Sequence, residues 1–394
     1  MVPSDSSRVG LTPLLLALAV SEFGDKLVQV VYAIVALDRG STAVLAGVLA
    51  AQTVPIIVLT PVIAARGWGR SRSAWRGSLL GQSAAFLVAA TFADRLAVVI
   101  ACVAVAAALE SVSMPLSRTL LHLLSAGRHA ELTRWWGIAK AAAGAAGMAV
   151  AGLVVARFGP EAAFAVNAVT FAVVAVVAWS PPVVPADVDD ARRRATAGLR
   201  ALRNPQAFGA LGLVVVVVML VATSLEGVAG PFMLQRTPGF DVTGLGLVMA
   251  CWAVASLLTA ALTPVAAQGN RALLGVAVVL VGVALGIPSL GAPFWVAAVA
   301  FGVGGIGNGL FNLLLSRMIW SGVPALRQAD AWGAFNVVLN VTVVAGFVVG
   351  LGIRPSAAPV LLAAVSALAL TCGAAYAMAQ RRSPPLGAGA SDPA

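Results

Sequence analysis

The chain has 394 residues, 60% of them hydrophobic and only 10% charged, against about 25% charged residues in an ordinary soluble domain. That balance excludes a soluble enzyme or binding module and places the chain in lipid. Its formal net charge of +10 is spread through short loops between apolar runs, so it speaks for orientation in a membrane and not for nucleic acid.

A spanning helix needs about 20 apolar residues, and twelve such stretches follow one another: 11–37, 41–64, 77–93, 96–117, 134–156, 161–180, 206–235, 241–267, 271–288, 293–317, 330–353 and 356–379. The first is too long for a signal-peptide core and has no obvious cleavage site, so it reads as a transmembrane helix. The longest polar stretch, PPVVPADVDDARRRATAGLRALRNP, opens with helix breakers and ends in a basic amphipathic segment. It divides the chain into a bundle over residues 1–180, a cytoplasmic linker over 181–205, a second bundle over 206–380 and a tail over 381–394. The expected fold is an all-α membrane protein with twelve transmembrane helices in two six-helix bundles.

Arginine placement orients it. With the N-terminus inside, every arginine falls in a cytoplasmic segment except Arg39, Arg95, Arg157, Arg236 and Arg354, which requires an even number of crossings and two cytoplasmic termini. Trp68, Trp75, Trp135, Trp136, Trp179 and Trp320 gather at the same boundary. The Arg-rich, Lys-poor, Ala/Val/Gly-heavy usage points to a GC-rich bacterial genome, and hence to a bacterial plasma membrane. Cys102, Cys251 and Cys372 all lie in apolar stretches and are odd in number, which argues against a disulfide framework.

The two halves echo each other. Ser117-Arg118, Trp136-Gly137 and Ala151-Gly152 in the first recur in order as Ser316-Arg317, Trp332-Gly333 and Ala345-Gly346 in the second, as parallel repeats would. The six-plus-six pattern, the basic loop between helices two and three and the central linker resemble the major facilitator superfamily. VSEFGDKL in helix one, ARFGPEAAFAVNAVTF across helices five and six, and GIGNGLFNLLL in helix ten resemble its drug and natural-product exporters, including those of macrolides and siderophores. The resemblance implies a secondary transporter, with helices one, four, seven and ten lining a cavity and helices three, six, nine and twelve facing lipid. In PVIAARGWGRSR, Arg66, Gly69 and Arg70 match the family's gating loop, while Ala65 replaces its acidic residue and Pro61 its glycine. The helix-five proline of many drug antiporters is missing from AAAGAAGMAVAG.

The ionisable residues inside apolar stretches carry the functional argument, because each costs about 3 kcal/mol to insert unless a partner or polar pathway receives it. Glu22, Asp25 and Lys26 share one face of helix one. Lys26 can neutralise one carboxylate, leaving the other to take up and release a proton during transport. Glu110 and Lys140 lie at similar depth, ~10 Å from the inner ends of helices four and five at ~1.5 Å per residue, and are expected to form an ion pair or gate. Glu226 stands alone in the outer half of helix seven before Gly227, Gly230 and Pro231, a site suited to an outer gate. Asn308 and Asn312 on helix ten, Asn336 and Asn340 on helix eleven and Trp252 on helix eight are candidate cavity groups, the amides serving equally as interhelical glue. His122 and His129 lie in a basic loop and read as solvated.

Two motif matches carry nothing. Gly302-Val-Gly304-Gly-Ile-Gly307 has dinucleotide-binding spacing but sits inside an apolar helix; Asn340-Val-Thr342 is a glycosylation triplet buried in another. No Gly-Lys-Ser/Thr phosphate loop is present, and no nucleophile, base or metal cluster supports a membrane enzyme or lipid-handling scaffold. The sequence therefore predicts a cofactor-free, proton-coupled exporter of an amphiphilic small-molecule or peptide-like cargo working by alternating access. The transport alternative is a proton-coupled importer of a small nutrient.

Overall fold

The computed structural model describes residues 6–66, 72–124, 129–177, 199–204, 207–263, 270–324 and 327–381. Helices dominate them. α1 (Ser6–Asp38), α2 (Thr42–Arg66), α3 (Arg72–Thr91) and α4 (Leu96–Leu124) come first. Next is a 49-residue segment, His129–Val177, whose helical path breaks at Gly159; its two arms are α5 (residues 129–158) and α6 (residues 160–177). α7 (Gly209–Leu234), α8 (Val242–Leu262), α9 (Ala272–Ser289), α10 (Phe294–Gly322), α11 (Gln328–Gly352) and α12 (Ala358–Gln380) complete the order. Most of the expected linker, the tail beyond Arg381 and Arg70 lie outside the described residues.

The sequence anticipates a short loop between helices five and six, and the structure replaces it with a one-residue break. Gly159 has φ 78° and ψ 169°, a conformation glycine reaches without the steric cost a side chain would bring. A Cβ there would lie 2.4 Å from Glu161 Oε2. Pro160 follows and withholds a backbone donor, so the helix cannot continue undisturbed.

Nine segments among the described residues are long and apolar enough to cross a membrane, and the 42-residue Trp136–Val177 runs through the break at Gly159. α1 and α3 fall outside this set by composition. α1 carries Glu22, Asp25 and Lys26 at mid-length, and α3 opens on Arg72 and Arg76 and holds Gln82. Gln82 faces protein: it is buried and donates from Nε2 to Ser113 Oγ of α4 at 3.0 Å.

Backbone contacts sort the chain into two compact units. One holds α1, most of α2, α3 to α6 and the start of α8 (Val242–Ala250); the other holds Gly40–Ala43, α7, the rest of α8 and α9 to α12. In lipid, helices gain little by hiding apolar surface from each other, so close packing and interhelical hydrogen bonds must hold each unit. In the first unit α1 lies against the α5–α6 segment, and α3 packs on that segment and on α4. Phe86 of α3 stacks on Phe171 of α6, and Ser83 Oγ donates to the Ala168 carbonyl at 2.7 Å. α6 turns Val166, Val169, Val173 and Val176 outward and buries Asn167, Ala168, Thr170 and Phe171.

In the second unit α9 packs against α10 and α12, while α7 packs against α9, α11 and α12. Ser366 Oγ of α12 donates to the Gly282 carbonyl of α9 at 2.7 Å. The glycine run of α10 brings backbones together: a Cβ on Gly305 would lie 2.2 Å from the Trp252 carbonyl oxygen of α8. One on Gly307 would lie 2.5 Å from the Ala277 carbonyl oxygen of α9. This is the physical use of the GVGGIG run.

Candidate functional site

The first unit gathers charge at one place. Asp25 is thirteen residues from the end of α1 at Asp38, ~20 Å along the axis at ~1.5 Å per residue, which is mid-helix. Glu22 lies one turn before it, and both carboxylates act electrostatically on each other. Glu110 of α4 joins them, within reach of Asp25 and of the buried Tyr32 of α1. Lys26 also acts on Asp25 while its Nζ donates to Gln29 Oε1 at 2.8 Å.

Lys140 completes the group. Its Nζ lies 3.2 Å from Glu22 Oε2, where the sequence reading paired it with Glu110. The reason is helix rotation. α5 approaches α1 through Gly144 and Gly147; a Cβ on Gly147 would lie 2.3 Å from the Phe23 carbonyl oxygen, and one on Gly144 would lie 3.2 Å from Lys26 Cγ. With that seam against α1, Lys140, one turn before Gly144, falls beside Glu22. Depth along the helix cannot reveal that direction.

Asn167 and Thr170 of α6 are members that the sequence reading passed over. Asn167 is fully buried and donates from Nδ2 to Asp25 Oδ1 at 3.2 Å. Thr170 Oγ1 shares its one proton between the Asn167 main-chain carbonyl at 2.8 Å and Asn167 Oδ1 at 3.0 Å. A Cβ on Gly24 would lie 2.3 Å from Asn167 Oδ1, so the absent side chain of Gly24 admits the amide. The signal in the sequence is an Asn-x-x-Thr pair on one face of an apolar span. Among the described residues, Glu22, Glu110 and Lys26 act on the charge of Asp25, and Lys140 pairs with Glu22. Glu22 thus has an ion partner in Lys140, whereas among the described residues Asp25 meets the Asn167 amide and no ion partner.

In the second unit Glu226 is half-buried, and its Oε1 is enclosed without a hydrogen-bond partner among the described residues. The side chain runs forward along its own helix, where a Cβ on Gly230, one turn on, would lie 2.9 Å from Oε1. Asn308 Nδ2 donates to Ser256 Oγ of α8 at 3.2 Å, and Asn312 Nδ2 donates to the Asn308 carbonyl oxygen at 2.8 Å. Asn336 is exposed and donates to the Trp332 carbonyl oxygen at 2.9 Å. Asn340 is half-buried on the next turn of α11. Trp252 packs its ring over Gly304 and lies 5.9 Å from the Phe301 ring, so helix packing employs it. Arg66 is the last residue of α2. Among the described residues no group of three or more His, Cys, Asp or Glu side chains is arranged to hold a metal ion.

The profile of the Major Facilitator Superfamily matches residues 14–346. The chain belongs to the major facilitator superfamily. It is a multi-pass membrane transporter, and the fold agrees. A structure of the nucleoside transporter NupG superposes with a TM-score of 0.71 at 13% identity, covering 96% of this chain and 100% of that one. An auto-inhibited peptide transporter of the POT family superposes with a TM-score of 0.69 at 13% identity, covering 95% of this chain and 97% of that one. A third structure, described as giving insight into substrate recognition in proton dependent oligopeptide transporters, reaches 0.69 at 15% identity over 95% and 99%. No curated protein matches the chain by sequence. Identities this low transfer the fold and leave cargo to this chain's own residues.

Proposed function

We propose that the protein is a secondary active transporter that exchanges protons for an amphiphilic natural product, antibiotic or drug, exporting the cargo by alternating access across a bacterial plasma membrane. Twelve crossings with both termini in the cytoplasm, and two six-helix bundles divided at residues 181–205, belong to this reading. The observation supporting it is the half-buried, mid-helix Asp25 carboxyl, which among the described residues meets an amide and no ion partner. A buried carboxylate without its own counter-ion is costly unless it binds a proton or a cation. An exporter needs such a group, because proton binding on one side of the membrane and release on the other couples the gradient to cargo movement. Glu22 and Lys140 hold α5 to α1 beside this group, and Glu226 is the second acid, serving the outer gate of the other unit.

The cargo preference rests on the apolar character of the helices that the family places around the cargo path. They carry a few amides, Asn308, Asn312, Asn336 and Asn340, and no paired arginines suited to a phosphate. Import of a peptide or nucleoside is the rival reading, since fold neighbours bear those names. Everted membrane vesicles separate the two, using labelled erythromycin and ethidium as export probes and a labelled dipeptide and uridine as import probes. Export gives uptake of an export probe into everted vesicles that depends on an acidic lumen and vanishes with a protonophore. Gradient-driven uptake of the dipeptide or uridine into right-side-out vesicles, with no response to the export probes, would replace export by import.

A further inference from the structure

We infer that Asn167, held by Thr170, is a positioning residue that fixes the Asp25 carboxyl for proton exchange. The inference rests on the reading of Asp25 as the proton-coupling group and adds a role for α6, a helix that the family resemblance assigns to the lipid side.

The geometry supports it in three steps. Asn167 is fully buried, and a buried amide that meets neither water nor a partner is expensive; here each end is used. Nδ2 donates to Asp25 Oδ1 at 3.2 Å, and Oδ1 accepts from the Thr170 hydroxyl at 3.0 Å. Thr170 is buried as well, and its single hydroxyl proton is shared between the Asn167 main-chain oxygen at 2.8 Å and Oδ1 at 3.0 Å. The carboxylate of Asp25 is an acceptor, and the amide presents its N–H side to it. Turned over, it would set Oδ1 against a carboxylate oxygen, and acceptor would face acceptor. Gly24 supplies the space, because any Cβ there would enter both the amide and the Thr170 side chain, at 2.3 and 2.6 Å. Among the described residues, the other charged and titratable groups around Asp25 are Glu22, Lys26 and Tyr32 on α1, Glu110 on α4 and Lys140 on α5. These act on its charge. Asn167 instead fixes which oxygen is tied to α6 and which is left to receive a proton.

Infrared difference spectroscopy of the full chain in lipid, between alkaline and acidic buffer, tests this without any cargo. The C=O stretch of a protonated carboxyl rises in frequency when a donor to that carbonyl is removed. The band lost in Asp25→Asn identifies Asp25. That band is expected to move to higher wavenumber in Asn167→Leu and in Thr170→Val, and to stay in place in Thr170→Ser, which keeps the hydroxyl. Thr170→Val changes little in shape, so it decides the question alone if Asn167→Leu does not fold. An Asp25 band at the wild-type position in Asn167→Leu, or in Thr170→Val where only that variant folds, overturns the positioning role and leaves the proton reading intact. No band assignable to Asp25 at any pH overturns the proton reading, and this inference with it.

Discussion

Replacing Lys140 by methionine removes an ammonium and keeps most of the apolar stem. The Nζ–Oε2 separation to Glu22 is 3.2 Å, at which two unit charges interact by about 5 kcal/mol for an effective dielectric constant of ~20. That figure must be discounted, because the Lys140 side chain is 47% exposed and only Glu22, at 15%, is well enclosed. Exposed pairs contribute up to about 1 kcal/mol, whereas stripping one partner from a buried pair costs about 3–5 kcal/mol. The structure lies between these limits. A coupling energy of about 1–2 kcal/mol is expected between Lys140→Met and Glu22→Gln, the double change costing less than the two single changes added together. Reversible unfolding in mixed lipid–detergent micelles, followed by circular dichroism, measures the cycle. A parallel cycle with Glu110→Gln should give a smaller coupling. Additivity of Lys140 and Glu22 within about 0.5 kcal/mol, or a larger coupling to Glu110, would refute the assignment of this ion pair and the rotation of α5 that produces it.

The glycine seams make a second prediction. Gly147→Ala and Gly305→Ala place a methyl group against the backbone carbonyls of Phe23 and Trp252 and should each cost about 1–3 kcal/mol by overpacking. Gly137→Ala and Gly302→Ala meet no atom within 4 Å and should be neutral or gain up to about 1 kcal/mol of helix propensity; equal effects at all four positions would contradict the helix rotations. At Glu226, the amide of Glu226→Gln keeps the shape beside Gly230 and removes the acid, so stability is expected to hold within about 1 kcal/mol while gradient-driven transport falls at least about tenfold, a barrier change of about 1.4 kcal/mol. Unchanged transport in a folded Glu226→Gln protein would remove this acid from the mechanism.

Class and helix order were legible because they rest on runs of about 20 apolar residues, the coarsest pattern a membrane protein writes. Glu22, Asp25 and Lys26 were legible for the same reason inverted, since charge in such a run stands out. Pairing was not. Lys140 and Glu110 share a depth, but depth is a coordinate along the helix, and the choice of Glu22 depends on rotation set by Gly144 and Gly147 against Phe23 and Lys26. Asn167 and Thr170 escaped because a neutral amide and a hydroxyl hardly disturb hydropathy, and their importance arises only when Gly24 lets α6 approach α1. Trp252 reads in the sequence as a candidate cavity group, and its ring lies over Gly304 of α10, a contact that hydropathy does not announce. The loop expected near residues 157–160 contracts to Gly159 because one left-handed residue before a proline turns the chain by itself.

Cargo-evoked proton movement tests the central claim most directly. Everted vesicles containing the wild-type protein are energised, their lumen is reported by a pH-quenched acridine dye, and erythromycin or ethidium is then added. The account predicts prompt dequenching as protons leave in exchange for the probe, none with Asp25→Asn, and retention of the response in Gly302→Ala, which leaves every named contact in place. Wild-type dequenching by a folded Asp25→Asn protein would show that protons are carried elsewhere, and the charge cluster around Asp25 would then be a structural network only.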